Sequence, residues 1–255
     1  MTAAAEPDWT VEAHDLVKRF GDFTVVNAVT FSVRRGEIFG FLGSNGSGKS
    51  TTIRMLCGIL TPTSGEGTVA GHDIFTDPEG IKSSIGYMSQ KFSLYEDLTP
   101  FENLRFYLGI YSVPENLWKE RIDWALGMAR LHEVRNRPTG DLPPGWKQRL
   151  ALGCSLLHKP DILFLDEPTS GVDPVTRRHF WSFIAELAGG GITIFVTTHY
   201  MDEAANCQRI VMINEGKIVA AGSPDEIVAA ACPEKDGADL DDAFVKLMSG
   251  GGPCR

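Results

Sequence analysis

The chain has 255 residues, 43% of them hydrophobic, which suits one large domain, or one domain with subdomains, around a proper core. Its net charge of −9 argues against nucleic acid as a partner, because phosphate-backbone contacts need basic patches. No apolar run reaches the roughly eighteen residues of a membrane-spanning helix, and the opening MTAAAEPDWT lacks both the basic and the apolar part of a secretory signal.

In chain order, EIFGFL (37–42) predicts a buried strand. It runs into GSNGSGKS, which is Gly43, Ser44, Asn45, Gly46, Ser47, Gly48, Lys49 and Ser50, with Thr51 next. This fits G-x-x-x-x-G-K-[ST] between a strand and a helix, KSTTIRMLC, the context the motif requires. Backbone N–H groups can wrap phosphate oxygens there, Lys49 can reach β- and γ-phosphates, and Ser50 can ligate Mg²⁺. The strand IGYMSQ ends in Gln90, whose amide can ligate Mg²⁺ and sense a terminal phosphate, or serve as a plain turn residue. Residues 91–159 read as mostly helical, an inserted helical subdomain, with a helix start at Thr99-Pro100-Phe101-Glu102.

DILFLDE follows, an apolar strand ending in Asp166 and Glu167. Carboxylates at a buried strand end need charge partners. Mg²⁺ is such a partner for Asp166, and Glu167 can then orient and deprotonate an attacking water. Asp173-Pro174 starts a helix, PVTRRHFWSFIAEL. His199 closes the strand ITIFVTTH. A lone histidine there is often structural, yet strand C-terminal ends form the ligand side of a parallel sheet. RIVMINEGKIVAAG predicts a hairpin turning at Glu215-Gly216, and Ser223-Pro224-Asp225-Glu226 starts another helix. The tail ends in a short amphipathic helix, DLDDAFVKLM. Alternating strands and helices, the strands apolar throughout, predict an α/β fold with a largely parallel sheet covered on both faces. The five cysteines, Cys57, Cys154, Cys207, Cys232 and Cys254, form no CxxC pair and read as reduced thiols.

These segments, in this order, resemble the ABC transporter ATPase family, from about Val11 to Gly222. GSNGSGKS resembles its Walker A motif, ILFLDE its Walker B, Gln90 its Q-loop, SGVD with Asp173 its D-loop and His199 its switch histidine. The resemblance implies a P-loop NTPase fold: a mostly parallel sheet with an antiparallel β subdomain, the ATPase domain at 9–222 and a helical tail at 223–255. It implies ATP and Mg²⁺ as ligands. DLVKRFG resembles the adenine-stacking segment, so Phe20 would stack on the base with Val25 beside it; the alternative for Phe20 is a core aromatic. It also implies a head-to-tail pairing with a second ABC ATPase subunit, a copy or a sibling chain. That pair would power a separate transmembrane permease from the cytoplasmic face of the membrane, with the aromatic stretch 91–111 near the docking groove.

One segment departs from the family. Where the signature reads Leu-Ser-Gly-Gly-Gln, this chain has Leu142-Pro143-Pro144-Gly145-Trp146. Pro143 supplies no hydroxyl for a γ-phosphate across the dimer, and neither proline has an N–H. Gly145 retains its N–H, and a helix tolerates proline in its first turn. Either this half-site is weakened and works beside an intact partner, or the Pro-Gly form is a working variant, as in a branch of efflux ATPases that this chain resembles. Outside transport, a DNA-maintenance ATPase would need a long coiled coil that is absent between Walker A and the signature. A translation factor would carry two such domains in one chain. A regulatory ABC module with weak or no hydrolysis is disfavoured by Glu167 and His199, while Pro143 leaves it room.

Overall fold

The apolar runs pair side by side in the computed structural model, which describes residues 8–91, 93–235 and 237–249. In chain order the elements are β1 (Trp9–Phe20), β2 (Phe23–Arg34), β3 (Ile38–Leu42), α1 (Lys49–Leu56), β4 (Ser64–Val69), β5 (His72–Asp73), α2 (Pro78–Ser84) and β6 (Ile85–Met88). Helices α3 (Pro100–Ile110), α4 (Glu115–Met128) and α5 (Pro144–Ser155) follow. The chain then returns through β7 (Ile162–Asp166), α6 (Pro174–Gly189), β8 (Thr193–Thr198) and α7 (Met201–Ala204). It ends with β9 (Arg209–Asn214), β10 (Lys217–Gly222), α8 (Pro224–Ala231) and α9 (Leu240–Met248).

The main sheet has the order β10-β9-β3-β8-β7-β6, parallel except at the β9–β10 hairpin. That hairpin turns where predicted, with Glu215 at φ 47 and Gly216 at φ 75, the pair of positive angles that a two-residue turn of matching twist requires. A second, antiparallel sheet, β2-β1-β4-β5, faces it. Residue patterning alone does not mark β1 and β2. Polar residues interrupt both, Glu12, His14, Lys18 and Arg19 on β1 and Asn27, Thr30 and Ser32 on β2, so no continuous apolar run advertises them.

Helix α1 lies against both sheets, touching β2 and β4 on one side and β7 and β8 on the other. The core there holds Val11, Leu16, Val29, Ile53 and a cluster of phenylalanines. Phe195 has its ring centroid 5.2–6.0 Å from those of Phe31, Phe39, Phe41 and Phe164. Side chains alternate across a strand, so Ile162 and Phe164 of β7 enter this core while Leu163 and Leu165 enter the opposite one, against Phe180, Trp181 and Ile184 of α6. Covering both faces explains the unbroken apolar strands. Helices α3, α4 and α5 build a third core from Leu104, Leu108, Leu126 and Leu150.

Capping follows the sequence signals. Thr99 and Ser223 each form a full capping box, with Glu102 and Glu226, and Asp239 forms a further one with Asp242 at α9. Cys57, Cys154 and Cys207 are buried free thiols. Cys232 is disulfide-bonded, which corrects the reading of every cysteine as a reduced thiol, and Cys254 lies outside the described residues. Among the described residues no helix is long and apolar enough to cross a membrane.

Candidate nucleotide site

Gly48 caps α1 with φ +108, and a Cβ at that position would stand 2.8 Å from the Val25 carbonyl oxygen. Only glycine satisfies both conditions. No side chain caps α1, and its first turn holds no acidic residue. Its open N–H groups and positive dipole end therefore suit an anion. Ser44, Asn45 and Gly46 form the exposed rim of the loop, and Thr51 sits half-buried on the first helical turn. The Ser47 hydroxyl is buried without a partner, a polar atom that a phosphate oxygen would satisfy.

Lys49 folds back over this loop. Its Nζ donates to the Gly43 carbonyl at 2.8 Å and the Ser44 carbonyl at 3.1 Å, and lies 3.2 Å from Glu167 Oε1. Both partners of that ion pair are buried.

Parallel pairing of β7 with β8 sets Asp166 opposite Thr197. The Thr197 hydroxyl donates to Asp166 Oδ1 at 2.8 Å and accepts from the Glu167 N–H at 3.0 Å. Ser50 donates to the same Oδ1 at 3.0 Å. Sequence reasoning misses Thr197, whose signal is faint: a hydroxyl near the end of an apolar strand. Glu167 itself has φ 48, a left-handed conformation that costs a non-glycine residue about 1–3 kcal/mol and is concentrated at functional sites.

The second carboxylate oxygen of Glu167 faces the other candidates. Gln90 Nε2 donates to Oε2 at 3.1 Å. His199 Nδ1 lies 3.3 Å from the same oxygen, without the alignment of a hydrogen bond. β6 stops at Met88, so Gln90 stands on the bend beyond the strand rather than ending it, and is exposed. Lys49, Ser50, Gln90, Asp166, Glu167 and His199 thus form one continuous cluster.

The oxygen donors of Ser50, Asp166 and Gln90 suit a hard cation such as Mg²⁺. Among the described residues no group of three His, Cys, Asp or Glu is arranged to hold a metal, and Mg²⁺ is characteristically held by one or two carboxylates together with substrate phosphates. The donor set therefore fits that ion.

Phe20 is 52% exposed, with Lys18 Nζ 5.1 Å from its ring centroid. That excludes the core-aromatic alternative. Val25 is half-buried on β2, and its carbonyl touches the Gly48 end of the loop.

The signature and D-loop residues stand apart from this cluster. Pro143 is the N-cap of α5 and Pro144 its first residue, so the helix survives both prolines, whose fixed φ suits a first turn. The Trp146 and Lys147 N–H groups both go to the Pro143 carbonyl, at 2.9 and 3.2 Å. A Cβ on Gly145 would stand 2.6 Å from Thr176 Cγ2, so the start of α5 rests on the start of α6. Asp173 caps α6, accepting from the Val175 and Thr176 N–H groups at 3.0 Å. Bonds from Thr176, side chain and N–H, lead in holding its carboxyl below the usual range. Pro143, Pro144, Gly145 and Asp173 line a cleft of about 1020 Å³ whose walls include none of residues 43–50. Gln148 joins the two regions, its Nε2 donating to the Pro168 carbonyl at 2.7 Å.

A family model described as ABC transporter matches residues 26–170, more than half of the chain. The chain belongs to the ABC transporter family. Its architecture is that family's ATPase fold, and the alternating elements and antiparallel β subdomain expected from the sequence agree with it. The probable multidrug ABC transporter ATP-binding protein YbhF of Escherichia coli strain K12 is 49% identical over 249 residues, 97% of this chain. The chain spans 43% of the length of that relative. Among solved structures, cbiO1 from Clostridium perfringens, part of the ABC transporter complex cbiONQ, superposes with a TM-score of 0.79 at 30% identity, covering 87% of this chain and 91% of its own. The ATP-binding cassette MJ0796, solved as a dimer in a post-hydrolysis state with ADP and Pi, has a TM-score of 0.75 at 25% identity, covering 84% and 98%.

Proposed function

We propose that this ABC ATPase binds Mg·ATP and hydrolyses it as one half of a head-to-tail pair, driving export through a separate membrane permease. The observation that carries the reading is the convergence of Lys49, Ser50, Asp166, Glu167, Gln90 and His199 at one end of the parallel sheet. Gly43–Thr51 would cradle the triphosphate, with Lys49 moving from Glu167 to the phosphates, and Phe20 and Val25 would receive the adenine. Mg²⁺, held by Ser50, Asp166 and Gln90, would neutralise phosphate charge. Glu167 would orient and deprotonate the attacking water, with His199 bonding the terminal phosphate. The dimeric MJ0796 cassette supports pairing, the cbiO1 complex supports a transporter assembly, and the multidrug description of YbhF supports export. The chain would then sit on the inner face of the cell membrane.

Copurification tests the assembly. A tagged chain expressed in its own host and pulled down from detergent-solubilised membranes is expected to bring an integral membrane permease with it. Recovery from the soluble fraction alone, or with nucleic acid, overturns the transporter reading.

The signature is proposed to be a working variant. Helix α5 keeps its N-terminus, and Gly145, in its first turn, lines the cleft that would meet the partner's nucleotide. Pro143→Ser is therefore expected to leave ATP turnover within about threefold of the parent. A lost charge-assisted bond is worth about 1.5–3 kcal/mol, more than tenfold in rate. A rise of that size in Pro143→Ser, measured as steady-state hydrolysis, would reveal a weakened half-site and favour the regulatory alternative.

A further inference from the structure

Behind the candidate site, a single carboxylate joins the two strand ends that carry it. The turn after β7 runs from Glu167 through Thr169 towards Asp173, and β8 ends at Thr198, just before His199. Glu203, on α7, is 1% exposed. One of its oxygens accepts from the Thr169 hydroxyl, and the other accepts from the Thr198 hydroxyl at 2.6 Å. The Thr198 hydroxyl in turn accepts from the Tyr200 N–H at 3.0 Å, so the bonds bracket His199 on both sides. The countercharge comes from Arg177, in the first turn of α6. Its Nε lies 3.5 Å from Glu203 Oε1, and its guanidinium packs 4.1 Å from the Tyr200 ring centroid.

Burying a carboxylate is unfavourable unless its partners are fixed, and apolar residues of similar volume often fill such a space with equal or better stability. The arrangement of Glu203 does something apolar packing cannot. It sets the spacing between the turn bearing Glu167 and the turn bearing His199 by directional bonds. Through Arg177 and the Asp173-capped start of α6, it also connects both turns to the loop that lines the signature cleft.

We propose that Glu203 is a positioning residue for hydrolysis, holding His199 in register with Glu167 and passing movement of the 169–173 loop on to His199. This rests on the ATPase reading above. No role in touching nucleotide is assigned to it.

The test is steady-state Mg·ATP hydrolysis by the full chain, with KM and kcat resolved. Glu203→Gln keeps the side chain's size but turns an amide N–H₂ towards a hydroxyl donor. A misplacement of the order of 1 Å can cost about 100-fold, so kcat is expected to fall by about 10–100-fold with KM within about twofold. Thr198→Val is expected to lower kcat in the same way, and Thr198→Ser, which keeps the hydroxyl, to restore it. The threonine pair decides the matter even if Glu203→Gln folds poorly. A fastening with no part in the chemistry would lower the melting temperature while the folded fraction kept its kcat, and serine would be no better than valine. Either of those results, or an unchanged kcat in Glu203→Gln, overturns the proposal. Glu167→Gln run alongside separates the two claims. If it abolishes turnover while Glu203→Gln does not change it, the ATPase reading stands and this proposal falls. If the parent chain shows no turnover, both fall.

Discussion

Replacing Glu167 by glutamine is expected to lower ATP turnover by about 10²–10⁴-fold, the usual contribution of a positioned general base, while Mg·ATP binding stays at least as tight as in the parent. The two halves of that expectation have separate causes. Glutamine keeps the shape of the side chain and can still meet Gln90, but it cannot take a proton from water. Lys49 is engaged with Glu167 at 3.2 Å, so a phosphate at the cradle would compete with a carboxylate for the ammonium. Glutamine weakens that competition. Single-turnover hydrolysis and equilibrium binding of Mg·ATP separate the effects. Hydrolysis within about fivefold of the parent would remove Glu167 from the role of base, since loss of a general base costs at least about 10²-fold.

The elements that position this site differ in how openly the sequence states them. β3, β7 and β8 are continuously apolar because both faces are covered, so they stand out and lead the eye to the loop and carboxylates at their ends. Thr99 and Ser223 announce their helices because capping chemistry is local. β1 and β2 stand out less, because one face of each meets solvent and neither is the unbroken apolar run that marks β3, β7 and β8. The same limit governs the site. Lys49 and Ser50 lie in a contiguous motif, whereas Thr197 and Glu203 each depend on a partner from a distant segment, 31 residues away for Thr197 and Asp166 and 34 for Glu203 and Thr169. The disulfide at Cys232 is likewise invisible to a spacing rule that looks for CxxC.

Lys49→Met is expected to weaken Mg·ATP binding by at least about 10-fold, and also to destabilise the protein. The binding loss follows from removing a cation that would meet the β- and γ-phosphates, since hydrogen bonds to charged groups contribute about 1.5–3 kcal/mol. The stability loss comes from what is left behind. Glu167 is only 8% exposed, and stripping one partner from a buried ion pair typically costs about 3–5 kcal/mol. At about 2–4 °C per kcal/mol for a chain of this size, the melting temperature should fall by several degrees or more. The double variant Lys49→Met, Glu167→Gln distinguishes the two origins. Removing the stranded charge should return much of the stability while nucleotide binding stays weak, because glutamine supplies no cation. Calorimetric titration with Mg·ATP and thermal unfolding of the three variants measure both quantities. If Lys49→Met bound Mg·ATP like the parent, the phosphate cradle would not be the nucleotide site, and the roles proposed for Ser50, Asp166, Gln90 and His199 would fall with it. If the double variant were no more stable than Lys49→Met, the Gly43 and Ser44 carbonyls that Lys49 also holds would be the source of the loss, rather than the buried carboxylate.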